Sequence, residues 1–301
     1  MHPIADALPD SLCYLDGLYT PLCDAKVSVL DRGFIFGDGV YEMVPVYAGH
    51  LFCFDEHMAR LGRSLAALQI ANPFSTAEWR AIATRLIEAS RPAARAGTQG
   101  IYFQVTRGIA PRDHTMPQGL RPTVFAMVNP MKTVPEAIRA RGVACVSAHD
   151  FRWQKAHIKS TSLLGAVLAR QISVEAGAAE TIMFRDSWLS EASSSNVWIV
   201  AKGTVIGPPK DELVLAGIRY GLIERLCAEA GIPFALRRIS RDEVFGADEL
   251  LLSSASKEVL PVVTLDGHKI GTGRPGPVYQ ALHAGYQRAK ERDMHNHGVA
   301  A

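Results

Sequence analysis

Apolar residues fall in two rhythms along this chain, and the elements follow from where the rhythm changes. SLCYLDGLYTPL sets two short apolar runs around Asp16-Gly17, the signal of a tight hairpin. VYEMVPVYAGHLFCF repeats it with Ala48-Gly49-His50 as the turn, and a period of two puts Tyr41, Met43 and Pro45 on one face. The rhythm then lengthens. Met58, Leu61, Leu65 and Leu68 form a helical stripe that predicts a helix capped by Asp55 and ending near Asn72. A second helix, TAEWRAIATRLIEAS, should stop before Arg91-Pro92. GIYFQVT and RPTVFAMVN read as strands. The segment RGIAPRDHTMP between them, rich in turn formers and charge, reads as a solvated connection.

Two prolines in PMKTVPE interrupt the pattern and place a domain boundary there, giving a small domain over 1–133 and a larger one over 134–301. The second part opens with the strand RGVACVSAH and a helix at about 163–176. TIMFRD, SNVWIV and TVIG follow as strands, then a helix near GIRYGLIERLCAEAG and the strands PFALRRI, ELLLSS and VLPVVTL. Strands and helices mix without a regular β-α-β alternation. The expected fold class is therefore α+β with substantial antiparallel pairing.

Composition narrows the function. A 301-residue chain that is 48% hydrophobic can fill one large or two medium cores. Its net charge of +2, with acids and bases interspersed, offers no stripe for a phosphate backbone, so nucleic acid is not an expected partner. The five cysteines are widely and irregularly spaced, as suits reduced, mostly buried thiols rather than disulfides or a metal centre. MHPIADALPD lacks the basic start and apolar run of a leader, and no segment has the ~20 apolar residues of a membrane span. A cytoplasmic protein is the expectation.

The familiar phosphate and hydrolase motifs fail. FIFGDGVYE has Gly37 and Gly39 but no third glycine opening a helix, and neither a P-loop nor G-x-S-x-G occurs. Three other places could carry chemistry. Lys159, in RWQKAHIKSTSLLGAVLARQ, ends a polar segment just before an apolar helix, where its amine can enter a cleft; most lone lysines are simply solvated. Glu191 lies beside three serines and Asn196 in LSEASSSNVWIV. Gly217, in LAGIRYG, starts a helix whose free N–H groups can hold an anion, or else relieves crowding.

DRGFIFGDGVYE, HIKS-x-x-LLGAVLA, SEASSSNV, LAGIRYG and SSASKEVLPV occur in the order found in the class IV aminotransferases, the fold type IV pyridoxal 5′-phosphate (PLP) enzymes, which the chain resembles over roughly 14–285. VYEMVPVY and TRGIAPRDH resemble the bacterial D-amino acid (D-alanine) aminotransferase branch. The resemblance implies two domains, a small α/β N-terminal one and a larger β-rich pseudo-barrel carrying the PLP lysine. It makes Lys159 the residue that binds the cofactor aldehyde and moves the substrate proton. Glu191 becomes the partner of the ring nitrogen, with Ser195 and Asn196 beside it. Arg60, in E-H-x-x-R-L, takes the phosphate with the N–H groups of Ile218 and Arg219; otherwise Arg60 could pair with Glu56 one turn earlier. Leu215 packs on the ring and Arg152 lies near the phenolic oxygen. Two positions depart from the family pattern: Arg219 and Ala255 stand where relatives carry threonines, leaving Ser254 and Ser256 to flank the phosphate.

The same resemblance gives the substrate carboxylate to Tyr41, Arg112 and His114, the last two delivered from a partner subunit of a homodimer. An arginine fork with further donors suits a carboxylate. Met43 and Pro45 then line the side-chain pocket. The expected reaction is a ping-pong transfer from a D-amino acid such as D-alanine to a 2-oxo acid such as 2-oxoglutarate. The alternatives are a branched-chain L-amino acid aminotransferase, 4-amino-4-deoxychorismate lyase and an (R)-selective amine transaminase on the same fold, or a non-catalytic PLP or metabolite carrier.

Overall fold

Residues 11–90 and 97–298 are described by the computed structural model; the N-terminal decapeptide and the proposed stop at Arg91-Pro92 lie outside them. Two units emerge. Residues up to Lys132, with Ile158–Leu163 and the chain from Asp293, form the first; Thr133–His157 and Leu164–Arg292 form the second.

The first unit holds β1 (Leu12–Leu15), β2 (Leu18–Pro21), α1 (Arg32–Phe36), β3 (Gly39–Tyr47), β4 (His50–Leu51), α2 (Phe54–Ala67), α3 (Thr76–Ser90), β5 (Gln99–Thr106) and β6 (Thr123–Pro130). Its six strands pair antiparallel in the order β2-β1-β6-β5-β3-β4. Alternation decides which face is covered. Val40, Val44, Val46, Ile101, Phe103 and Val105 point toward Met58, Leu61, Leu65, Trp79, Ile82 and Leu86 of the two helices, forming the core. Helix α3 has the predicted bounds. Helix α2 starts two residues earlier and ends five earlier than expected: Cys53 caps it in the left-handed region, and Asp55 instead pairs across with Arg80 at 2.7 Å. The chain reverses at Gln69, which holds φ 54°, so the helix cannot reach Asn72.

The second unit contains α4 (Glu136–Arg141), β7 (Val143–His149), α5 (Leu164–Glu175), β8 (Thr181–Arg185), β9 (Trp188–Ala192), β10 (Asn196–Ala201), β11 (Thr204–Gly207), α6 (Ile218–Glu229), β12 (Phe234–Leu236), α7 (Arg241–Phe245), β13 (Glu249–Ser254), β14 (Glu258–Leu265), β15 (His268–Lys269) and α8 (Pro277–Gly298), the last up to Arg292. The sheet order is β12-β11-β10-β13-β14-β7-β8-β9, with β15 on β14. Strand β9 at one edge and β10, five places away, are joined only by Ser193, Ser194 and Ser195. In a flat sheet those strands would stand about 24 Å apart, too far for so short a link, so the sheet curls into a half-barrel. Its interior packs Ile182, Val197, Ile199, Leu250, Leu252 and Leu260.

The fold class is thus mixed α and β with a curled second sheet, as the resemblance implied. Cys13, Cys53, Cys145 and Cys227 are buried free thiols, and Cys23 is an exposed one. Among the described residues no helix is long and apolar enough to cross a membrane.

Candidate active site

Lys159 belongs with the first unit, because the strip Ile158–Leu163 lies along the start of β3. The Tyr41 N–H donates to the Lys159 carbonyl at 3.0 Å, and the Thr161 N–H to the Gly39 carbonyl at 2.9 Å. The Lys159 N–H reaches Ser64 Oγ on α2 at 3.2 Å. Thr161 and Ser162 hydroxyls both donate to the Gly37 carbonyl, at 2.9 and 3.0 Å. The backbone is therefore fixed on both sides of the lysine, while Nζ rests 4.0 Å from the centroid of the Tyr41 ring with no carboxylate paired to it among the described residues. Tyr41 in turn stacks on Tyr102 at 5.7 Å, whose phenol burial pushes up to about 12. Met43 shares this half-buried face; a Cβ on Gly100 would come within 2.7 Å of its Sδ, so the glycine makes room for it.

On the opposite face of β3, Glu42 is fully buried. It accepts from Arg60 Nε at 2.7 Å and Nη2 at 2.8 Å, and lies 2.7 Å from His57 Nδ1. Burial alone would raise the Glu42 carboxyl, but the charges of Arg60 and His57 hold it far below the usual carboxylate range. The sequence-level pairing of Arg60 with Glu56 is corrected: Arg60 is 7% exposed and turned inward, where a carboxylate in the buried phase of a strand is the stronger partner. Sequence reasoning missed Glu42. The signal was present, since Val40, Glu42 and Val44 share one phase of the alternation and a charge there must be paired.

Arg112 and His114 are exposed, on the connection between β5 and β6. Asp113 between them is also exposed, and its carbonyl accepts from Arg32 Nη1 at 2.7 Å.

In the second unit, Glu191 projects from β9 and is 6% exposed. It accepts from Arg152 Nη1 at 2.5 Å, the Leu215 N–H at 3.3 Å and Asn196 Nδ2 at 3.4 Å. Burial pushes its carboxyl above the ordinary range, with Arg152 pulling the other way. Arg152 also binds Asp150 through Nε at 2.9 Å and Nη2 at 2.8 Å, so the two carboxylates grip one guanidinium. Asn196 Nδ2 donates to the Leu215 carbonyl at 2.9 Å, tying Glu191 to the segment that enters α6. Gly217 caps α6, and a Cβ there would collide with Asn196 Oδ1. The glycine relieves crowding as well as leaving the N–H groups of Ile218 and Arg219 at the helix start. The Arg219 side chain is buried, its guanidinium 5.4 Å from the Tyr286 ring, while its backbone N–H lies in the first turn of α6.

Ser254 ends β13, and its Oγ accepts from the Lys257 N–H at 3.1 Å across the turn of Ala255 and Ser256. Ser195 is differently employed from Asn196. With Ser193 and Ser194 it donates to buried Glu180, which Lys257 Nζ also reaches at 2.7 Å. This cluster fixes the three-serine link from β9 to β10, and neither Glu180 nor Lys257 stands out in the sequence.

The family model for amino-transferase class IV matches residues 39–265. D-alanine aminotransferase of Bacillus licheniformis is 39% identical over 266 residues, 88% of this chain and 92% of that protein. The D-alanine aminotransferase of Staphylococcus haemolyticus is 33% identical over 276 residues, 91% and 96% of the two chains. Among solved structures, the T.th. branched-chain amino acid aminotransferase with pyridoxamine 5′-phosphate superposes with a TM-score of 0.85 at 23% identity, covering 95% of this chain and 96% of that one.

Proposed function

The chain belongs to the class IV aminotransferases, and on that footing we propose that it uses PLP to move the amino group of a D-amino acid such as D-alanine to a 2-oxo acid such as 2-oxoglutarate. Bound PLP supplies an aldehyde that takes up the amine and a pyridine ring that withdraws electrons from it. Lys159 would hold PLP through its aldehyde, and its Nζ would carry a proton away from the substrate Cα. Its setting supports this role: a fixed backbone, an aromatic face beneath the amine and no carboxylate to occupy it among the described residues. Glu191 keeps the ring nitrogen protonated. A cation there would offset the burial that disfavours its ionised form, and Asn196 and the Leu215 N–H hold its oxygens in place.

Arg60, the N–H groups of Ile218 and Arg219, and the turn of Ser254, Ala255 and Ser256 are the residues that would receive the phosphate. Neither Arg219 nor Ala255 brings a hydroxyl, so backbone amides and the neighbouring serines carry that part. Leu215 would pack on the ring and Arg152 would stand near the phenolic oxygen, while Ser195, held on Glu180, and Asn196, held on Glu191 and the Leu215 carbonyl, would line the cofactor site. Tyr41, Arg112 and His114 bind the substrate carboxylate and Met43 borders its side chain, with Arg112 and His114 serving the partner in a homodimer.

The observation that carries the D-amino acid reading is the 39% identity to a D-alanine aminotransferase over most of the chain. The test is a screen of D- against L-amino acids with 2-oxoglutarate, on wild type and Lys159→Ala. D-alanine turnover that vanishes in the variant is expected; turnover of L-valine or L-leucine without D-alanine overturns the reading.

A further inference from the structure

Arg112 and His114 are exposed, and an exposed arginine ordinarily samples many rotamers. Here both side chains meet one ring. The Arg112 guanidinium lies 5.6 Å from the Phe36 centroid, and the His114 imidazole 5.5 Å from it at 50°. Phe36 ends α1, and Arg32, one turn earlier, lies over the same ring at 4.7 Å.

Arg32 is buried and bridges three points. Its Nε donates to Asp38 Oδ2 at 2.8 Å, its Nη1 to the Asp113 carbonyl at 2.7 Å, and its backbone N–H to the Gly108 carbonyl at 2.9 Å. Asp38 also takes Arg107, at the start of the same connection, through Nε at 2.7 Å and Nη2 at 3.0 Å. The connection is therefore gripped at Arg107 and again at Asp113, the residue between Arg112 and His114. The grip belongs to charged groups almost fully withdrawn from water, where such bonds are strong and directional.

We propose that Arg32 and Phe36 are positioning residues for the substrate carboxylate: Arg32 fixes the peptide between Arg112 and His114, and Phe36 is the platform that orders both side chains before substrate arrives. The inference rests on the reading of Arg112 and His114 as carboxylate ligands. Preorganised donors bind a carboxylate without losing rotamer freedom in the act. Removing the platform or the grip should weaken carboxylate binding and leave proton transfer at Lys159 alone.

The experiment uses the holoenzyme with Phe36→Leu, which keeps an apolar side chain but no ring face, and Arg32→Lys, which keeps a charge for Asp38 but loses the fork. Arg112→Ala is the reference. KM and kcat for D-alanine are measured together with the dissociation constant of propionate, read from the absorbance of the bound cofactor. In both variants KM and the propionate constant should rise about tenfold, with kcat within about twofold and cofactor content unchanged. If both stay near wild-type values while Arg112→Ala raises them, Arg32 and Phe36 have no part in binding and the carboxylate reading stands. If Arg112→Ala also leaves them unchanged, that reading falls and takes the inference with it. Cofactor loss in parallel with the rise in KM would assign Arg32 and Phe36 to folding and overturn the inference.

Discussion

Glu42 shows how a single residue can be both conspicuous and unreadable. A carboxylate in the buried phase of β3 demands a partner, yet nothing in a linear pattern says that Arg60 and His57 will arrive from α2 to supply it. Removing one side of a buried ion pair strands the other. Glu42→Gln should therefore lower stability by about 3–5 kcal/mol, measured by urea unfolding at neutral pH. The pH dependence has a definite sign. Folding depresses the Glu42 pKa, so its contribution is complete above the unfolded value of about 4.3 and is lost as pH falls through that value toward the folded one. The stability gap between wild type and variant should thus be flat near pH 7 and close below about pH 4. A gap independent of pH would mean that shape rather than charge holds the site. Lys159 and Glu191, by contrast, are expected from local motifs, HIKS and SEASSSN, although the partners that hold them, Tyr41 and Ser64 for one and Arg152 and Leu215 for the other, lie far along the chain.

At the scale of elements, periodicity worked where one face is buried and failed where partners set the boundary. The stripe in TAEWRAIATRLIEAS gave α3 its bounds, while the start of α2 was moved by the left-handed Cys53. The short helices α1, α4 and α7 and the long α8 went unread, the first three because five or six residues are too few to show a period of 3.6. Gly217 is where an element boundary meets the site. Its missing Cβ makes room for Asn196 Oδ1, so Gly217→Ala must displace Asn196 and with it the contacts to Glu191 and Leu215. The expected cost is about 1–3 kcal/mol of stability, seen as a lower unfolding midpoint, together with weaker PLP retention on dialysis. A variant with wild-type cofactor retention would separate the helix start from the binding of PLP.

At the scale of the molecule, each unit leaves apolar surface uncovered. In the first, Phe34 is 73% and Val29 69% exposed, close in sequence to Arg32. In the second, α5 shows Leu164, Val167, Leu168 and Val174 to solvent, all more than half exposed. Patches of this kind mark association surfaces, in keeping with the proposed homodimer. Val167→Glu places a charge in the α5 stripe and should shift sedimentation toward the monomer. On the proposed reading activity should fall in proportion, because the Arg112–His114 connection would then have no neighbouring subunit to serve. A fully dimeric, active variant would free α5 from the interface.

By itself the sequence determined the family, the mixed α and β class, the succession of most strands and helices, and the residue types the chemistry needs. These depend on local spacing and on motifs short enough to read directly. Tertiary structure decided the rest: that Lys159 is held against β3, that Arg60 turns inward to Glu42, that Arg152 is gripped between Glu191 and Asp150, and that Arg112 and His114 share Phe36. Most of those pairings join residues far apart in the chain, through backbone hydrogen bonds at Lys159, buried charge at Arg60 and Arg152, and ring contacts at Phe36. Their strength comes from close distance, and for the Arg60 and Arg152 pairs from burial as well, and only the folded chain sets either.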